Sequence, residues 1–159
     1  MRNILSLFLS IGLALVAFST AAAQVRSDIA ADRAELQSNR QAIVAENLPL
    51  TEGEAKAFWP AYREYRGEMQ KLGDRLVELF LDYAKNSESL SDSQATAMLD
   101  SYLAVQKDEA KIKSDWVPKF RKILPPKVVT RFYQIDNKLD AILRFDAVDR
   151  IPLVRTGRK

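Results

Sequence analysis

The chain has 159 residues, 47% hydrophobic and 28% charged, with 24 lysines and arginines, 21 acids, and neither cysteine nor histidine. This excludes disulfides, thiolate and imidazole metal sites, and every catalytic dyad or triad that uses histidine or cysteine. Only carboxylate chemistry survives as a catalytic possibility.

Residues 1–23, MRNILSLFLSIGLALVAFSTAAA, carry one early charge at Arg2, a mostly apolar run over 4–18, and small residues Ala21 and Ala23 before Gln24. This is the pattern of a secretory signal peptide, expected to be cleaved after Ala23. The apolar run is shorter than the ~18–20 residues a membrane span needs, and no cysteine exists to carry a lipid anchor. Cleavage of 23 residues from 159 leaves 136, with 23 basic and 21 acidic side chains and a net charge of +2. That length suits one domain, and packing alone must stabilise it. The expected organisation is a signal over 1–23, one helical domain over 24–149 and a basic tail over 150–159.

Glycine and proline are scarce after residue 23, and helix formers dominate. A first helix is expected over 27–46, with Ile29, Leu36 and Ile43 as its main apolar points. Arg26, Arg33 and Arg40 recur on it every seven residues, among Asp28, Asp32 and Glu35, which reads as a solvated mixed-charge face. A second helix is expected over 51–85. Its apolar residues fall at Phe58, Tyr62, Tyr65, Met69, Leu72, Leu76, Leu79 and Tyr83, in alternating steps of four and three that form a heptad seam. Trp59 and Phe80 widen that stripe. A third helix is expected over 92–124, with Leu99, Tyr102, Val105, Ile112, Trp116, Phe120 and Ile123 on one side. A fourth starts at Pro125-Pro126, where proline suits the first turn, with Val128, Phe132, Ile135, Leu139 and Ile142 on its apolar face. The short polar link near 86–90 predicts an antiparallel hairpin of the second and third helices. The class is all-α: a long antiparallel hairpin with flanking N- and C-terminal helices.

Leu50-Thr51-x-x-Glu54 reads as a capping box with Leu50 placed as half of a hydrophobic staple, and Leu90-Ser91-x-x-Gln94 repeats it forty residues on. The expected helix caps are therefore Thr51 with Glu54, and Ser91 with Gln94. LTEGE and LSDSQ resemble the repeated LTxxQ motif of the Spy/CpxP group of exported helical proteins. FWPAYREY and LPPKVVTRFYQIDNKLDAI look like an uncharacterised branch of that group. Glu54 departs from the motif, which prefers glutamine there. The resemblance implies a small all-α periplasmic protein, often a curved antiparallel dimer. Relatives in the group serve as ATP-independent chaperones, envelope-stress modulators or metal-resistance proteins. The absence of histidine separates this chain from the metal-binding branch, so neither cofactor nor metal is expected.

Within the hairpin, Phe58, Trp59, Tyr62 and Tyr65 have two readings. A helically spaced aromatic stripe is ordinarily core. Alternatively, with Arg63 and Arg66, it forms a half-open cradle that holds clients by apolar and cation–π contacts. The heptad register places Tyr62 on the seam, to be mostly buried, and Trp59 at its edge, partly open. Pro60, Pro118, Gly67 and Gly73 interrupt the long helices, either as tolerated imperfections or as a source of curvature. The acid pairs Glu64/Glu68 and Asp136/Asp140 share helix faces at i, i+4, where acids are normally solvated or paired with lysine and arginine. A glycosidase-like role would need a walled cleft as well, so no enzymatic activity is expected. The tail RIPLVRTGRK has four basic and no acidic residues. It reads either as a free tail or as a weak contact to an anionic membrane surface. With the small net charge, nucleic acid is not an expected partner. The expected function is periplasmic binding of partly unfolded envelope proteins, by a homodimer and without nucleotide. The alternatives are a regulator docking on an envelope-stress sensor domain, and a structural partner of an envelope assembly.

Overall fold

The computed structural model describes Glu35, residues 38–149 and residues 151–156. The expected signal peptide, Arg26, Arg33, half of the expected first helix, and Arg150, Arg158 and Lys159 lie outside the described residues. The chain divides into two compact units, Met1–Ile43 and Val44–Lys159. Among the described residues there are four helices and no strand: α1 over 38–47, α2 (Glu52–Asn86), α3 (Asp92–Arg121) and α4 (Pro126–Asp149). None is long and apolar enough to cross a membrane. In the first unit Arg40 is buried at 2% exposure, which corrects the solvated face expected of it.

Both capping boxes form. Thr51 Oγ1 accepts from the Glu54 amide at 3.3 Å while the Thr51 amide donates to Glu54 Oε2 at 2.8 Å. Ser91 and Gln94 repeat the exchange at 3.3 and 2.9 Å. Each box satisfies amides that a helix start leaves without intrahelical partners. At the far end of α2, the Asn86 side-chain amide donates to the Asp82 carbonyl at 2.8 Å, and the Ser89 amide donates to the Asn86 carbonyl at 3.0 Å. The chain then reverses within five residues, so α2 and α3 pack antiparallel.

α3 ends at Arg121, three residues short of its expected end. Leu124 precedes a proline, which disfavours helical backbone there. The amides of Lys122, Ile123 and Leu124 close onto the Lys119 and Phe120 carbonyls as a tight turn. Pro125 then accepts the amides of Val128 and Val129, with Pro126 at the first helical position, where its missing amide costs nothing. α4 packs back on the hairpin and completes a three-helix core.

That core is aromatic where the helices meet. Phe58 of α2, Phe120 of α3 and Phe132 of α4 are each fully buried, with ring centroids 5.0–5.6 Å apart. Tyr65 and Trp116 extend the cluster at 5.9 Å. Tilted and edge-to-face contacts at these distances add stabilisation beyond area burial, roughly 0.5–1.5 kcal/mol per pair. The α2 seam is as the heptad predicts: Phe58, Tyr62, Tyr65, Met69, Leu72 and Tyr83 are buried, and Leu76 and Leu79 half-buried.

α4 differs from its expected face. Its buried positions are Val129, Phe132, Asp136 and Leu139, while Ile142 is 63% exposed. The inward stripe is turned by about one residue so that Asp136, not Ile135, occupies the seam.

Candidate functional site

The residues expected to form a binding surface divide between interior and surface. Phe58, Tyr62 and Tyr65 are at most 3% exposed and belong to the core. Three helices converge on them, so of the two readings of this stripe these three residues follow the core one. Trp59 is half-buried, with its ring edge-on to Phe58 at 5.1 Å and to Tyr62 at 5.4 Å. Arg63, one turn on, is exposed. Arg66 turns inward: its guanidinium lies 3.5 Å from Asp136 Oδ1, 3.9 Å from Asp140 Oδ1, and 5.8 Å from the centre of the Tyr65 ring. Of the six candidates, Trp59 and Arg63 remain available at the surface.

A buried polar network passes through this interface. The Tyr65 hydroxyl donates to Asp136 Oδ2 at 2.6 Å, with the Asp136 side chain fully excluded from solvent. Lys113 of α3 bridges Glu109 at 2.8 Å, Asn137 at 3.0 Å and Asp140 at 3.1 Å. Arg144 of α4 closes the chain on Glu109 at 2.6 Å. The set Arg66, Lys113, Arg144, Glu109, Asp136 and Asp140 is formally neutral, which limits the cost of holding charge away from water. Burial, and then the Asp136 charge, push the Tyr65 phenol far above its ordinary range. Burial and the same carboxylate raise Tyr133, whose hydroxyl donates to the Lys113 carbonyl at 2.8 Å. Burial works against the charge on Lys113, but Glu109 and Asp140 outweigh it and hold the ammonium above its usual value.

Chemically this network is a staple. Asp136 and Asp140 do share a face, as expected, but both lie against cations. Glu64 and Glu68 are exposed. Among the described residues no group of three or more acids could hold a metal ion.

The sequence reading missed Glu109, Lys113 and Arg144 as partners across α3 and α4. One available signal was the step pattern Val129, Phe132, Asp136, Leu139, which puts a carboxylate in a seam.

Large apolar side chains also reach solvent. Leu99 and Leu103, one turn apart on α3, are each 54% exposed. Leu99 was expected on the inner side of that helix. At this end of the hairpin α3 meets α2 through Tyr102 and Phe80, ring centroids 6.4 Å apart. The described part of the tail, 151–156, is non-helical, and the Tyr83 hydroxyl donates to the Pro152 carbonyl at 2.7 Å. It is therefore seated on α2, not free as one reading of the tail had it.

Compared with protein-family models, curated proteins and solved structures, the chain matches none.

Proposed function

We propose that this is an exported, non-enzymatic binding protein of the periplasm, of Spy/CpxP-like kind and homodimeric. It holds apolar segments of partly unfolded envelope proteins reversibly and without nucleotide. The observation that carries this reading is the pair Leu99 and Leu103, each 54% exposed at i, i+4 on a long helix. Single exposed leucines are ordinary, but neighbours on one helix face make a continuous apolar strip that a client segment can cover. The repeated capping boxes and the all-α hairpin are in keeping with the resemblance on which periplasmic chaperone activity rests.

A second reading, a regulator docking on the sensor domain of an envelope-stress system, is favoured by Trp59 beside Arg63. A half-open tryptophan next to an exposed arginine is the composition of a hot spot for a single tight partner. Aggregation assays with two unrelated unfolded proteins separate the readings. The chaperone reading expects the parent chain to protect both, and a Leu99→Ser/Leu103→Ser variant to lose most of that protection while keeping its helicity. Protection of neither client by the parent removes the chaperone reading, and equal protection by the variant removes the α3 strip.

A further inference from the structure

The turn between α3 and α4 has a charge distribution unlike that of the hairpin before it. From Lys56 to Lys113 every lysine and arginine has an acidic residue within three positions of it. Residues 116–135 hold Lys119, Arg121, Lys122, Lys127 and Arg131 and no acid at all. The fold leaves all five exposed, because the inward positions between them are taken by the buried Phe120, Leu124 and Val129. Phe120 and Phe132 meet at 5.0 Å, which brings the end of α3 against the start of α4. The five cations are thereby gathered at one end of the three-helix core. Among the described residues none of them pairs with a carboxylate.

Helix energetics account for only part of this. Lys119 and Arg121 lie in the last turn of α3, whose negative end favours cations. Lys127 stands at the second position of α4, where the helix end is positive, and the first turn has no acid to offset it. Two of the five cations are also held in place. The Lys119 ammonium lies 3.7 Å from the centre of the Trp116 ring, and Arg131 Nε donates to the Asn47 carbonyl at 2.7 Å. Between the cations the turn is apolar: Pro125 and Pro126 are exposed, and Ile123 and Val128 half-buried.

We propose that this end of the core docks on the surface of an anionic lipid bilayer. Unopposed positive charge specifies an anionic partner, and the apolar tip selects a bilayer among such partners. Headgroup phosphates meet the cations, while the tip from Ile123 to Val128 enters the boundary between headgroups and acyl chains. The lysine and arginine stems lie along that apolar surface and keep their charges at the headgroups. A soluble polyanion offers the apolar tip nothing. Repulsion among the five cations, and that between Lys127 and its own helix end, is relieved when the anionic surface is engaged. Leu99 and Leu103 lie toward the opposite end of α3, so docking here does not involve the client strip.

The probes are vesicles of mixed phosphatidylglycerol and phosphatidylcholine and vesicles of phosphatidylcholine alone, each co-sedimented with the full chain. The ratio of the two affinities is the readout, since the apolar run over 4–18 contributes to both alike. The parent should prefer the anionic vesicles by roughly tenfold or more at low salt, and the preference should shrink as salt is raised. Lys122→Gln/Lys127→Glu should lose most of it and keep its helicity. Lys127→Glu alone should raise the thermal midpoint, because an acid suits that helix position, while weakening vesicle binding. Should the double variant lose helicity, Lys127→Gln alone gives the same comparison, with a loss of roughly fivefold. A charge-matched control, Lys71→Gln/Lys107→Glu, changes exposed cations outside the patch and should bind as the parent does. No preference of the parent for anionic vesicles overturns the proposal, and so does an equal loss in the control, which would show attraction by net charge alone. Displacement of the parent from vesicles by soluble polyglutamate at equal charge also overturns it and assigns the patch to an acidic protein.

Discussion

Asp136 is the residue on which α2 and α4 are locked together. A carboxylate with no solvent exposure is tolerable only when its charge is met, and here Tyr65 and Arg66 meet it from the neighbouring helix. Asp136→Ala should therefore cost about 3 kcal/mol, because it leaves the largely buried Arg66 with Asp140 alone at 3.9 Å. Tyr65→Phe should cost about 2 kcal/mol, the value of a hydrogen bond to a buried charge. Denaturant midpoints of both variants and of the double variant measure the two costs and their coupling, and additive effects would place the residues outside one network. The same pair predicts an alkaline transition. Tyr65 has a folded pKa above its unfolded value of 10.0, so the stability it lends is complete below pH 10 and is lost as the pH rises further. Tyr133 shares this direction. Followed by phenolate absorbance, two of the five tyrosines should ionise only as the helical signal collapses.

Within the helices, local chemistry and tertiary demand are separable. The capping boxes are local: Thr51→Ala and Ser91→Ala should each cost about 1 kcal/mol in thermal or denaturant melts, since each hydroxyl accepts an amide that otherwise faces the helix end alone. Gly67 is the converse case. It lies inside α2, is exposed, and a Cβ placed on it meets nothing within 4 Å. Gly67→Ala should thus stabilise the helix by roughly 0.5–1 kcal/mol. A loss of stability instead would show that the helix depends on a local bend at that glycine. The face presented by α4 is the tertiary case, because only the partners offered by Tyr65 and Arg66 turn a polar position inward.

Across the whole molecule, stability is concentrated where Phe58, Phe120 and Phe132 meet. Phe58→Ala should cost ~3–5 kcal/mol, a large share of the stability of a domain this size. Trp59, half-buried at the rim, should tolerate alanine at less than half that cost. Circular dichroism melts of the two variants compare them directly. A Trp59→Ala loss as large as that of Phe58→Ala would make the tryptophan part of the core and remove it from any partner surface.

The sequence by itself determined the all-α class, both capped helix starts, the hairpin link and the α2 seam. Each of these depends on contacts a few residues apart: a hydroxyl three residues from its amide, or apolar side chains stepping by three and four. The burial of Tyr62 and the partial exposure of Trp59 were legible for the same reason, since Tyr62 lies on the seam and Trp59 stands about 100° round the helix from the seam residue Phe58. Tertiary structure alone decided that Asp136 enters the core, that Arg66 turns inward, and that Leu99 and Ile142 face solvent. It also decided that the Tyr83 hydroxyl donates to the Pro152 carbonyl. The placements of Asp136, Arg66 and Tyr83 depend on residues 69–71 positions apart: Tyr65 and Arg66 with Asp136, and Tyr83 with Pro152. A periodic pattern on one helix contains no information about which charge a distant helix will bring to meet it.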